Sequence, residues 1–138
     1  MITTTELRKF AEGYTAAWCS QDAARVSAFY SPDGSLCING GDPAVGRSAI
    51  GQAAREFMTT FPDLQVILDD FVVDNENAVY RWTLIGSNTG PGGTGKRVQI
   101  SGFEEWRIGP DGLIAESHGY FDSDEYKRQI TDGVNSQR

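Results

Sequence analysis

The sequence predicts an α+β domain whose helices pack against one side of a curved antiparallel sheet. Three observations carry this. Apolar residues in the N-terminal half recur at helical spacing, those in the C-terminal half alternate with the period of two that strands impose, and short turns rich in Gly, Pro, Asn and Asp separate the alternating runs. At 138 residues the chain has the length of one domain, expected to span 1–138 with a polar tail over 131–138, and can bury a core without staples.

Thr3 and Glu6 stand at the spacing of a capping box and predict a helix start. Behind them Leu7, Phe10, Ala11, Tyr14, Ala17 and Trp18 form one apolar stripe. Asp22 is placed to cap a shorter helix carrying Val26, Phe29 and Tyr30, which the turn sequence Ser31-Pro32-Asp33-Gly34 would end. A short strand is expected over 35–39, then a connecting loop containing Asp42, Pro43 and Gly46. Ser48 would cap a third helix bearing Ile50, Ala54, Phe57, Met58 and Phe61. Four strands follow over 64–73, 78–89, 97–108 and 113–121, the last two a hairpin joined by Gly-Pro-Asp-Gly. The glycine-rich loop 90–95 lacks the strand-to-helix setting and the Lys-Ser/Thr ending of a phosphate cradle, and reads as a hairpin connection. A short final helix is expected over 123–130.

A net charge of −7 without clustered Lys or Arg argues against a nucleic-acid partner. No apolar run is long enough for a membrane span, and the first residues lack the basic and apolar segments of a signal peptide. Together with two cysteines read as reduced thiols, Cys19 and Cys37, this predicts a cytoplasmic protein.

One acid breaks a pattern. Along 97–108, parity puts Val98, Ile100, Gly102, Glu104, Trp106 and Ile108 on one face, apolar except for Glu104. Either Glu104 lines a cavity, where desolvation would raise its pKa, or a bulge near Gly102 turns it out toward Glu105 and Arg107. On 78–89, Tyr80, Trp82, Leu84 and Asn88 are expected to face the helices. On the last strand, His118 falls on the face opposite Ser117, Gly119 and Phe121. Glu116, His118 and Asp122, strung along one strand, do not make a metal site.

The stretches Y-x-A-A-W-x-x-x-D from Tyr14, F-Y-x-x-D-G-S from Phe29, G-R-S-A-I from Gly46, R-W-T-L-I-G-S-N-T-G from Arg81, G-K-R-V-Q-I-S-G from Gly95, R-I-G-P-D-G-L-I-A-E from Arg107 and Y-F-D from Tyr120 stand along the chain. Together they resemble the SnoaL-like domains of the NTF2-like superfamily. The resemblance implies an NTF2-like cone, with a sheet wrapped around N-terminal helices and a deep apolar pocket, as in ketosteroid isomerases, polyketide cyclases and limonene-epoxide hydrolases. It implies proton transfer next to a carbonyl on a small apolar ring-bearing molecule, without a cofactor, in a homodimer formed through the convex sheet face.

Carried over residue by residue, the resemblance puts Tyr14 at a hydrogen-bond-donating tyrosine and Glu104 near a protonated acid, a role whose raised pKa is borrowed from ketosteroid isomerase. It puts Ile38 and Gly119 where catalytic carboxylates would stand, so a base would have to come from Asp122, His118 or Asp42. Trp18, Phe29, Phe57, Trp82, Asn88, Trp106 and Phe121 are the expected substrate-binding residues. The competing expectation is a non-catalytic ligand-binding or dimeric scaffold domain of the same fold.

Overall fold

The computed structural model describes residues 3–75 and 77–134. Its elements in chain order are α1 (Thr4–Cys19), α2 (Ala23–Ser27), β1 (Tyr30–Ile38), β2 (Ala44–Val45), α3 (Arg47–Thr60), β3 (Gln65–Asp74), β4 (Asn77–Ser87), β5 (Arg97–Ile108), β6 (Ile114–Phe121) and α4 (Ser123–Asp132). The six strands form one sheet in the order β2-β1-β6-β5-β4-β3. Strands β3 to β6 pair antiparallel in succession, as their alternation predicts, while β1 joins β6 in parallel.

Helix α1 begins in the capping box read from Thr3 and Glu6: Glu6 N–H donates to Thr3 Oγ1 at 3.1 Å and Thr3 N–H to Glu6 Oε1 at 2.9 Å. Its stripe buries Leu7, Ala11, Tyr14, Ala17 and Trp18, and the helix packs on β3. Asp22 caps α2 as expected, accepting from Ala24 N–H.

The second helix is shorter than its spacing suggests. Phe29 and Tyr30 leave it, and Tyr30 opens β1 by pairing with Ile114. Residues Ser31 to Gly34 do not end a helix; they form an irregularity inside the strand, after which pairing resumes at Ser35↔Glu116. Long-range pairing with β6 overrides the local turn signal, and Pro32 sits where a missing N–H costs the ladder nothing. Gly34 is required there, since a Cβ would lie 2.8 Å from the Ile114 carbonyl oxygen.

Two further departures are local. The expected loop before the third helix contains the two-residue strand β2, paired with Ser35 and Leu36. The N-cap of helix α3 is Gly46 rather than Ser48, with no side-chain cap bond and a φ of 89° that only glycine adopts without strain. Helix α4 extends to Asp132, two residues beyond the expected 123–130, and the end of the expected tail, 135–138, lies outside the described residues.

The core lies between the concave sheet face and the helices. At its centre are Tyr14, Tyr30, Tyr80 and Trp106, each at most 2% exposed. The Tyr80 and Trp106 rings stack at 5.0 Å, and Tyr14 meets both edge-on. Among the described residues no helix is long and apolar enough to cross a membrane.

Candidate functional site: a caged glutamate in an apolar cavity

The β4–β5 register is unbroken from Asn77↔Arg107 to Ser87↔Arg97. No bulge intervenes at Gly102, so strict alternation carries Glu104 onto the concave face, where it is 8% exposed. Three groups surround its carboxyl, and all of them donate. Oε1 accepts from Trp106 Nε1 at 2.8 Å, Ser117 Oγ at 2.9 Å and the Tyr14 hydroxyl at 3.1 Å; Oε2 has only the Tyr14 hydroxyl, at 3.3 Å. The Tyr14 hydroxyl in turn lies 2.9 Å from that of Tyr30.

Strand pairing assembles this cage. Trp106 stands two residues along β5 from Glu104 on the same face, and its cross-strand partner is Ser117. Gly119 lies opposite Glu104 itself.

Burial pushes the Glu104 pKa above the ordinary carboxylate range, while the bonds from Trp106, Ser117 and Tyr14 pull it down against that larger effect. Tyr14 and Tyr30 are pushed well above the usual phenol value, first by burial and then by the nearby Glu104 charge. Both phenols therefore stay protonated and able to donate. Because Oε1 is saturated, a proton on the acid belongs on Oε2.

Glu104 forms the polar end of a cavity of about 60 Å³. The apolar wall is drawn from every layer: Trp18 of α1, Leu36 and Ile38 of β1, Phe57 of α3, Tyr80 and Trp82 of β4, Gly119 and Phe121 of β6, and Tyr126 of α4. Glu104 is the only acidic side chain among these lining residues. The indole N–H of Trp82 is buried without a hydrogen-bond partner.

Of the expected binding residues, Trp18, Phe57, Trp82 and Phe121 line the cavity. The others do not. Phe29 packs against Phe10 and Tyr14, and Trp106 lies behind the acid as its donor. Asn88 is 7% exposed but ties its own hairpin, donating from Nδ2 to Thr94 Oγ1 at 3.3 Å.

The three residues expected to supply a base also lie elsewhere. His118 points from the convex face, its side chain 47% exposed and its Nε2 3.9 Å from Glu116 Oε2. The β5–β6 register shifts only between Arg107 and Ile108, so no bulge near Gly119 turns His118 inward. Asp122 leaves the sheet to cap α4, accepting from Asp124 and Glu125 N–H, both at 3.1 Å. Asp42 is exposed on the β1–β2 connection. Sequence reasoning missed Tyr30 and Ser117 as cage members, and Tyr80 and Tyr126 as wall.

A curved sheet wrapped around helices, with an acid at the end of an apolar cavity, defines a protein of the NTF2-like fold. Solved structures share that fold at low identity. TsrD from Streptomyces laurentii superposes with a TM-score of 0.81 at 24% identity, covering 94% of this chain and 98% of that one. AclR from Streptomyces galilaeus, a putative hydroxylase, gives 0.79 at 21%, covering 93% and 97%. The epoxide hydrolase/cyclase-like enzyme SalBIII, of pyran ring formation in the polyether salinomycin, gives 0.78 at 13%, covering 91% and 97%. No curated protein matches the chain. The profile of the SnoaL-like polyketide cyclase family matches residues 8–130, and the chain belongs to that family.

Proposed function

We propose that the protein is an isomerase or cyclase that moves a proton next to a carbonyl on a small apolar ring-bearing molecule, with Glu104 as the proton carrier. One observation carries this reading: Glu104 is the only acidic side chain in the cavity wall, and its less bonded oxygen, Oε2, is the one left for a ligand. Burial makes the deprotonated acid a stronger base than a solvated carboxylate. In the reaction, Oε2 takes a proton from the carbon beside the carbonyl, leaving a neutral acid and an enolate. Returning that proton to a different carbon isomerises the substrate; attack of the enolate on a second carbonyl closes a ring, and the acid then protonates the new alkoxide. Tyr14, Ser117 and Trp106 are positioning residues that hold the carboxyl.

This reading replaces the external base expected from Asp122, His118 or Asp42 with the acid already inside. Proton–deuterium exchange at the α-carbons of cyclohexanone in D2O, followed by NMR, tests it. Wild-type protein should accelerate exchange and Glu104→Gln should not; equal rates for the two would remove Glu104 from the mechanism.

The second reading is a ligand-binding or scaffold domain without catalysis. It is favoured by Ile38 and Gly119, which line the cavity without ionisable groups where carboxylates were expected. Binding of the ketone without exchange would support it.

A homodimer and a cytoplasmic setting belong to the same proposal. The convex face exposes Ile67, Val72 and Tyr120, with Phe103 packed on Tyr120 at 5.1 Å and Arg81 over the Phe103 ring. Acids and bases, Glu105, Glu116 and Arg107, flank this patch and suit a two-fold contact with a second copy. Val72→Lys should shift the mass measured by light scattering from dimer to monomer.

A further inference from the structure

The Trp82 indole N–H is the one buried side-chain polar atom among the described residues without a partner. Such a group costs free energy unless something else completes it. Its ring belongs to the cavity wall. The indole is also fixed in place: Trp82 pairs with Gly102, and a Cβ there would lie 2.6 Å from Cζ2 of the indole. Gly102 lets the ring lie against β5, two residues from Glu104.

We infer that Trp82 Nε1 donates a hydrogen bond to a neutral acceptor on the ligand, so that the pocket selects ring compounds bearing a carbonyl or similar oxygen over equally shaped hydrocarbons. The inference rests on the proposed ketone chemistry and deepens it by assigning the group that reads the oxygen. Within the cavity Trp82 supplies a donor while Glu104 handles protons. Two residues along a strand span about 7 Å, the scale of a single substituted ring.

Cavity size bears on the same residue. An engineered cavity of about 150 Å³ accommodates benzene, whereas the one here measures about 60 Å³. A ring therefore enters only as the wall gives way, and Trp82 packs there against Phe121, which in turn packs on Tyr126, at 6.0 and 5.4 Å between centroids. Displacement of Phe121 would then leave the fixed indole N–H open to the ligand.

The test compares cyclohexanone with methylenecyclohexane, the same ring carrying =CH2 in place of =O, by titration of the full chain. Wild type should bind the ketone about three- to tenfold more tightly, the worth of one neutral hydrogen bond. Trp82→Phe should bring the ratio to about one, as should replacement of Trp82 by benzothienylalanine, which keeps the bicycle and loses the N–H. In a 1H–15N spectrum, the indole signal that Trp82→Phe removes should move downfield with the ketone and not with the alkene.

A wild type that binds neither probe, or both equally, overturns the inference, as does a ketone preference that survives both replacements. Failure of the Glu104 reading is separate: it would leave the binding ratio intact and give α-exchange rates that are equal in wild type and Glu104→Gln.

Discussion

Trp106 donates its indole N–H to Glu104 Oε1 at 2.8 Å from two residues along the same face of β5. The strand thus carries both the buried acid and its shortest donor. Trp106→Phe deletes this bond and part of the Tyr80 stack. We expect a loss of roughly 2–4 kcal/mol in chemical denaturation, because a buried acceptor is left short of a donor and a void opens. The same change should raise the Glu104 pKa further, measurable by 13C NMR of the carboxyl carbon.

Stability should fall with rising pH in a window set by Glu104. Its folded pKa is above the ordinary value of 4.5. Between that ordinary value and the raised one, the folded state holds a proton that the unfolded state has lost, so unfolding is favoured as pH rises. Below the ordinary value both states are protonated and the penalty vanishes. Subtracting the pH profile of Glu104→Gln, measured by urea denaturation, should isolate a downward slope in wild type across this window; an upward slope would reverse the assignment.

Gly119→Asp should install a second carboxyl beside the first. A Cβ at Gly119 would sit 3.5 Å from Glu104 Cγ, ordinary contact distance, so the backbone accepts it. Two carboxyls at this separation share a proton and titrate as a pair, one step lower and one higher than Glu104 alone. NMR titration should resolve two coupled steps, and a faster α-exchange rate than wild type is expected.

Asp122→Ala should cost about 1 kcal/mol by removing the cap of α4, while leaving the Glu104-dependent α-exchange rate within about twofold. A large loss of exchange without loss of stability would return Asp122 to the chemistry.

Much of this was legible locally. The α1 capping box, its buried stripe and the β5 boundaries follow from nearest-neighbour patterning, and strand parity put Glu104 on the apolar face, with a bulge near Gly102 as the alternative that the unbroken β4–β5 register removes. What failed was decided at a distance. Phe29 and Tyr30 fit a helix with Val26 until pairing of Tyr30 with Ile114, far along the chain, claims them for β1.

The cage shows the same limit. Ser117 faces inward by parity, yet a small hydroxyl carries no signal until the register sets it opposite Trp106. Asp122 misled because parity ceases once the chain leaves the sheet after Phe121. The sequence Asp-Ser-Asp-Glu was readable as a helix cap instead.

Helix α4 docks through hydrogen bonds, Gln99 N–H to Gln129 Oε1 at 2.7 Å and Thr94 Oγ1 to the Ile130 carbonyl, and through Tyr126 packed on Phe61 and Phe121. It supplies Tyr126 to the cavity wall, directly after Phe121. The cavity wall thus includes a side chain from one ten-residue terminal helix, and local opening of such a segment costs less than global unfolding. Amide protons of α4 should exchange with solvent ahead of those in β4 and β5, and an occupant of the cavity should slow them selectively, making this helix the molecule's own reporter of occupancy.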